Sequence, residues 1–407
     1  MAVEDSGGRA HFGALLAVGE FRALWLAQIG SVLGDQLARV ALTLDVYGQT
    51  RSALLAAVTF AASVVPSFAG GVLLAGLADR YPRRRVMIAC DVVRIVLVLA
   101  MAVPRLPVAL LVALLVAVTM AGVPFTSARA AIYPDVLSGD LYVLGTAATL
   151  TTYQFAQVLG FALGGAAVSI VGIRGALIAD AGTFAISAVI TRLWVRQRPV
   201  AKSSGAGASS RTADLLAGVR LVFTAPALRT PMLLGWLAAF YNAPEGVAAP
   251  LAAGYGAGAL GAGLILAAGA LGASVGAVAF SRLVGPATRA AWMRPLAVAS
   301  CATLTAFALG PGFRLALVVL FVAGLCDCYQ IAAIAQFVLA TPDSQRGQAF
   351  GLAQAGMSLG QGTAMILAGA AAQRYAPATV VAVAGALGAG VALIISARRL
   401  PARGMTR

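Results

Sequence analysis

Histidine and lysine are nearly missing from this chain: one of each, His11 and Lys202, among 407 residues that hold only 14 acidic side chains. One histidine in a polar tail excludes a histidine-based metal centre and argues against a membrane-embedded enzyme, whose signature is clustered His/Asp or Ser/His groups. The lone lysine follows Ala201 and lacks the G-x-x-x-x-G-K-S/T frame of a phosphate-binding loop, so the chain carries no such nucleotide site. Charged residues make up 11% of the sequence, against about a quarter in soluble domains. The four cysteines (Cys90, Cys301, Cys326, Cys328) all lie in apolar stretches, which points to neither a disulfide framework nor a zinc site. Cys326 and Cys328 flank Asp327, and alternate residues on a helix diverge. Residues 1–20 lack the cleavable apolar core of a secretory signal.

What is present in quantity is apolar sequence. Hydrophobic residues reach 60%, with a mean hydropathy of +0.91, so the solvent for most of the chain is lipid. The apolar segments run longer than 18 residues and do not alternate, which excludes a membrane β-barrel. Charged and Pro/Gly breaks divide them into twelve predicted membrane helices: 22–47, 52–78, 86–103, 107–128, 142–171, 176–195, 231–253, 257–281, 291–309, 314–339, 347–372 and 376–397. The expected fold is all-α, with two six-helix bundles related by a pseudo-two-fold axis. Residues 1–195 form the first bundle, 196–230 a cytoplasmic linker, and 231–407 the second bundle and a cytoplasmic tail. The linker opens Ser/Gly/Ala-rich, and after Thr212 it places Leu215, Val219 and Val222 on one face of a short interfacial helix.

The formal charge of +15 is a topology signal. With both termini in the cytoplasm, 21 of the 29 basic residues fall on the cytoplasmic side. Five (Arg51, Arg105, Arg174, Arg314, Arg374) fall on the other, and Arg39, Arg94 and Arg129 lie within spans. That bias fixes the expected orientation in the plasma membrane and removes nucleic acid as a partner. The two halves also echo each other: Pro134-Asp135 with Gly139 recurs 208 residues later as Pro342-Asp343 with Gly347. A six-plus-six repeat about a central linker is the layout of transporters that rock two bundles around one site.

Charges within spans are costly and so mark cavities or pairs. Asp35 and Arg39 lie one turn apart, about 20 Å along the helix from Arg22, and are expected to pair with each other. Asp91 and Arg94 lie near the cytoplasmic face, with Arg94 expected to snorkel. Asp180 is expected to cap span 6 near the outer face, and Arg129 ends span 4, where a structural and a coupling role are equally open. Glu245 and Asp327 differ, because neither has a cation within four residues on its own helix. Glu245 stands in Asn242-Ala243-Pro244-Glu245-Gly246, where Pro244 kinks the span. An unpaired intramembrane carboxylate can pass between protonated and ionised forms, which a proton-coupled carrier requires; the alternative is an arginine partner from another helix, Arg39 or Arg129. Trp236, Tyr241, Tyr329 and Gln330 are candidate pocket-lining or packing residues.

Between spans 2 and 3 lies Gly76-Leu77-Ala78-Asp79-Arg80-Tyr81-Pro82-Arg83-Arg84-Arg85, a carboxylate and four arginines in a short loop. A plain positive-inside cluster explains the arginines but not the G-x-x-D-R frame. Here the chain resembles the major facilitator superfamily, whose loop motif is G-x-L-A-D-R-x-G-R-R/K, with Pro82 in place of the second glycine. More narrowly it looks like the drug-exporter branch with macrolide-efflux and enterobactin-exporter-like proteins. The residues that carry this are 21–42, 78–94, SARAAIYPDVL (127–137), DAGTF (180–184) and RGQAFGL (346–352). The exporter-associated G-P-x-x-G-G of span 5 is Gly160-Phe161-Ala162-Leu163-Gly164-Gly165 here, without its proline. The resemblance implies alternating access driven by an ion gradient, with Gly76, Asp79, Arg80 and Arg84 as the conformational switch. The expectation is a monomeric, cofactor-free secondary transporter that uses the proton gradient to expel a small lipophilic or drug-like compound. Asp35, Arg39, Arg129, Glu245 and Asp327 then serve the cavity or the proton. Siderophore or metabolite export, and nutrient import, are the alternatives.

Overall fold

The computed structural model describes residues 11–74, 76–198, 225–342 and 345–397. The expected interfacial helix with Leu215, Val219 and Val222, most of the linker, Asp343 of the internal repeat and both chain ends lie outside the described residues.

All regular structure among the described residues is helical. The first half contains Gly19–Thr50, Ala53–Ala61 continuing into Pro66–Leu74, Leu77–Arg80, Arg83–Met101, Val108–Val136 and Gly139–Trp194. The second contains Pro226–Trp236, three short pieces to Gly254, then Gly258–Leu283, Pro286–Thr303, Phe313–Cys326, Tyr329–Ala340, Arg346–Ala371 and Pro377–Ala397. Among the described residues, seven helical segments are long and apolar enough to cross a membrane. Gly139–Trp194 is two crossing segments folded at Gly172, whose φ of 74° and ψ of 176° only glycine adopts readily.

Local sequence explains the breaks. Arg51 closes Gly19–Thr50 in the left-handed region, and Ser52 then caps the next helix by accepting the Leu55 N–H at 3.2 Å. Proline opens the helices at Pro226 and Pro286, where its missing N–H costs nothing. The helix that carries Glu245 is broken well beyond the kink expected at Pro244: it falls into Pro226–Trp236, Ala238–Tyr241, Ala243–Gly246 and Ala248–Gly254. Pro231, Pro244 and Pro250 each remove a backbone donor along this run.

The connections collect at two ends. One, the turn end, carries residues 51–52, 102–107, 172, 255–257, 310–312 and 373–376; the other, the tether end, carries 81–82, 137–138 and 195–198. The two halves meet toward the turn end. Val40, Phe60, Ala61 and Phe161 of the first half share one buried cluster with Val247, Leu251, Ile265 and Met365 of the second. Glycines permit the approach: a Cβ at Gly165 would stand 2.7 Å from the Ala259 carbonyl oxygen, and one at Gly263 2.6 Å from that of Phe161. Gly369 is likewise pressed onto Ala57 and Ala53, and Gln373 donates to Ser52 Oγ at 2.5 Å. At the tether end, no hydrogen bond joins the halves among the described residues; the other buried clusters each lie within one half.

Candidate functional site

Five charged side chains of the first half, Asp35, Arg39, Arg94, Arg129 and Asp180, converge on one cavity of about 240 Å³ that Tyr153 also lines. They reach it from four segments. Asp35 and Arg39 come from Gly19–Thr50, Arg94 from Arg83–Met101, Arg129 from Val108–Val136, and Asp180 from beyond the Gly172 fold.

The pairing differs from the expected one. Asp35 is bound by Arg94, which also donates to Ser31 Oγ at 3.2 Å and stacks on the Phe184 ring at 3.8 Å. Arg39, the expected partner, donates instead to the Ser63 carbonyl oxygen at 3.3 Å and stands over Phe60 at 5.5 Å. A charge one turn away lost to one on a facing helix, because the Arg94 side chain crosses directly into the gap between helices. Arg94 therefore does not snorkel; it is 4% exposed. Nor does Asp180 cap a helix. It is 1% exposed inside a continuous helix, accepts from Thr183 and lies so close to Gly34 that any Cβ there would strike its carboxylate. Asp91, fully buried, accepts from Ser187 at 2.7 Å.

In the second half, Asp327 follows the end of Phe313–Cys326 and accepts a hydrogen bond from Tyr241. Gln330 donates to the Tyr241 hydroxyl at 2.8 Å and to the Gly235 carbonyl oxygen at 3.2 Å. Neither Arg39 nor Arg129 forms an ion pair with Asp327; its partner is a phenol. Glu245 is half-buried in the broken helix, with Arg39 of the first half and Asp327 as its electrostatic neighbours. Glu245 thus brings a second-half carboxylate toward Arg39 of the first half, whose cavity carries Asp35 and Asp180 beside its arginines. Of the aromatic candidates, Tyr241 serves Asp327, while Tyr329 is fully buried and donates to the Leu234 carbonyl oxygen. Trp236 donates to that of Ala353.

At the tether end, Gly76 precedes Leu77–Arg80, Arg80 is exposed, and Arg84 donates to the Arg192 carbonyl oxygen. The Asp79 side chain lies outside the described residues. Arg83, passed over in the sequence, holds Asp135 at 2.8 Å and the Ala131 carbonyl oxygen at 2.7 Å. Asp135 also lies 3.8 Å from Arg198, which grips both oxygens of Glu20. The bond to Glu20 pushes the Arg198 pKa still further up, so this clasp keeps its cation at any physiological pH. Arg83 and Asp135 are 52 residues apart and Glu20 and Arg198 are 178 apart, so spacing carries no signal for either pair.

The sequence pattern of the Major Facilitator Superfamily matches residues 24–326. No curated protein matches the sequence. Among solved structures, the chain is similar to a POT family transporter in complex with 5-aminolevulinic acid, with 12% identity, 95% of this chain and 97% of that one covered, and a TM-score of 0.72. It is similar also to the nucleoside transporter NupG (17% identity, 92% and 98% covered, TM-score 0.67). A third likeness is to a D-xylose-proton symporter (14% identity, 94% and 98% covered, TM-score 0.69). At these identities the likeness is one of fold.

Proposed function

The chain belongs to the major facilitator superfamily, and from that membership we propose that it is a proton-coupled secondary transporter that expels a small amphipathic compound across the plasma membrane. Membership makes it a transporter and not an enzyme. The proposal extends to twelve membrane helices in two bundles, working as a monomer with both termini in the cytoplasm.

One observation carries the reading: Glu245 and Asp327 stand within apolar spans without an ion-pair partner among the described residues, and Glu245 has Arg39 of the other half as a charged neighbour. Such carboxylates can take a proton from one side and release it to the other. The arginine bias makes the tether end cytoplasmic, so a molecule held together toward its turn end is in the inward-open state. The switch at the tether end is assigned to Gly76, Asp79, Arg80 and Arg84, together with the Arg83–Asp135 pair. The outward direction rests on the exporter-like strings at 21–42 and 346–352.

The test is transport in proteoliposomes under an imposed pH gradient, with labelled cationic, neutral and anionic amphiphiles as the panel. Glu245→Gln and Asp327→Asn are expected to abolish gradient-driven accumulation while downhill exchange persists. Wild-type accumulation in both variants rejects the coupling assignment, and accumulation in the opposite sense rejects export.

A further inference from the structure

The cavity of the first half presents more cation than its own carboxylates neutralise. Arg94 is committed to Asp35. Arg39 and Arg129 form no ion pair among the described residues. Arg39 makes one hydrogen bond, to a backbone oxygen, and Arg129 makes none there. The Nε atoms of both are sealed from water and have no partner. Each guanidinium has a phenylalanine face behind it, Phe60 for Arg39 at 5.5 Å and Phe125 for Arg129 at 5.9 Å. The ring partly offsets the lost hydration and leaves the N–H edge for something else. Asp180 lines the same cavity, but it accepts from Thr183 and has Asp35 and Arg94 as its charged neighbours. A buried donor without an acceptor is costly, and here two unpaired arginines line one space.

We propose that this space receives the anionic head of the transported compound, a carboxylate held between Arg129 and Arg39, so that the substrate class is an amphipathic organic acid. A planar carboxylate fits the guanidinium edge and supplies the missing acceptors. A doubly charged phosphate fits less well, because Asp35, Asp180 and Glu245 stand near these arginines. Val98, Met101, Leu115 and Val118 supply an apolar stretch of the remaining wall beside the hydroxyls of Ser67, Thr119, Thr126 and Tyr153. A cavity of about 240 Å³ has room for a short aromatic tail along that stretch. The proposal rests on the transporter reading for the word substrate, but not for the binding itself.

The experiment is equilibrium binding of tritiated 4-phenylbutyrate to the purified full-length protein, with 4-phenylbutyramide as a neutral competitor of the same shape. Saturable binding is expected, displaced by the unlabelled acid and not by the amide. Arg129→Gln is expected to weaken it by roughly tenfold or more, Arg129→Lys by less, and Arg39→Gln also to weaken it. Equal displacement by the amide overturns the proposal, as does the absence of saturable binding. So does wild-type affinity in both glutamine variants. If Arg129→Gln fails to fold, the acid–amide comparison on the wild type and the Arg39→Gln variant still decide. Acid binding without any transport would sink the transporter reading alone. Transport with amide-tolerant binding would sink this inference alone.

Discussion

Arg94 has a carboxylate three residues away, at Asp91, and uses a different one. Its guanidinium lies among Asp35, Ser31 and the Phe184 ring, while Asp91 is held by Ser187. Sequence spacing finds partners on one helix face; it carries no information on which faces meet, so the Asp35–Arg94 pair was illegible although both charges were visible. Removing the cation leaves the buried Asp91 and Asp180 close to the partly exposed Asp35. Arg94→Met is therefore expected to destabilise the protein by about 3–5 kcal/mol, the cost of breaking a buried pair. Asp35→Asn is expected to cost less, because Asp180 remains near the arginine. Thermal unfolding of the purified variants checks the order, and a milder effect from Arg94→Met contradicts it.

The glycines of span 5 stand at the spacing by which small residues let helices pack closely, and they do form a packing face. Gly160 lies against Gln36, Gly164 against Val40, and Gly165 against Gly263. What the spacing could not say was which helix each would meet; only the last reaches the other half. A Cβ at Gly165 meets backbone atoms at 2.7 and 2.9 Å, which cannot swing aside as a side chain can. Gly165→Val is expected to push these helices toward the roughly 8–10 Å of ordinary helix pairs. The turn end should loosen, and the distance between spin labels at Val103 and Leu309, both exposed there, should lengthen. An unchanged distance would mean that the glycine crossing does not hold that end shut. The broken helix around Glu245 is half legible: Pro244 and Pro250 mark the breaks at Asn242 and Val247, but Pro231 lies inside the unbroken Pro226–Trp236, so no proline marks the break at Leu237.

On the scale of the molecule, the helical class follows from apolar length, since lipid obliges every segment to satisfy its own backbone, and the proposed orientation rests on arginine placement. The orientation is checked from outside intact cells with a membrane-impermeant thiol reagent. Leu309→Cys is expected to label and Ser204→Cys to stay protected; the reverse pattern inverts the orientation. Gly172 bears on how the two ends of such a molecule communicate. Its fold leaves no spare residue between the segment that crosses Gly263 and the segment that carries Asp180. A connection without slack is expected to behave as a stiff lever, which would carry displacement at the seam between the halves along the second arm to Asp180, beside Asp35 and Arg94. Separation of the halves and rearrangement of the charges would then be one mechanical event, and a flexible insertion at this turn is expected to uncouple them without touching either.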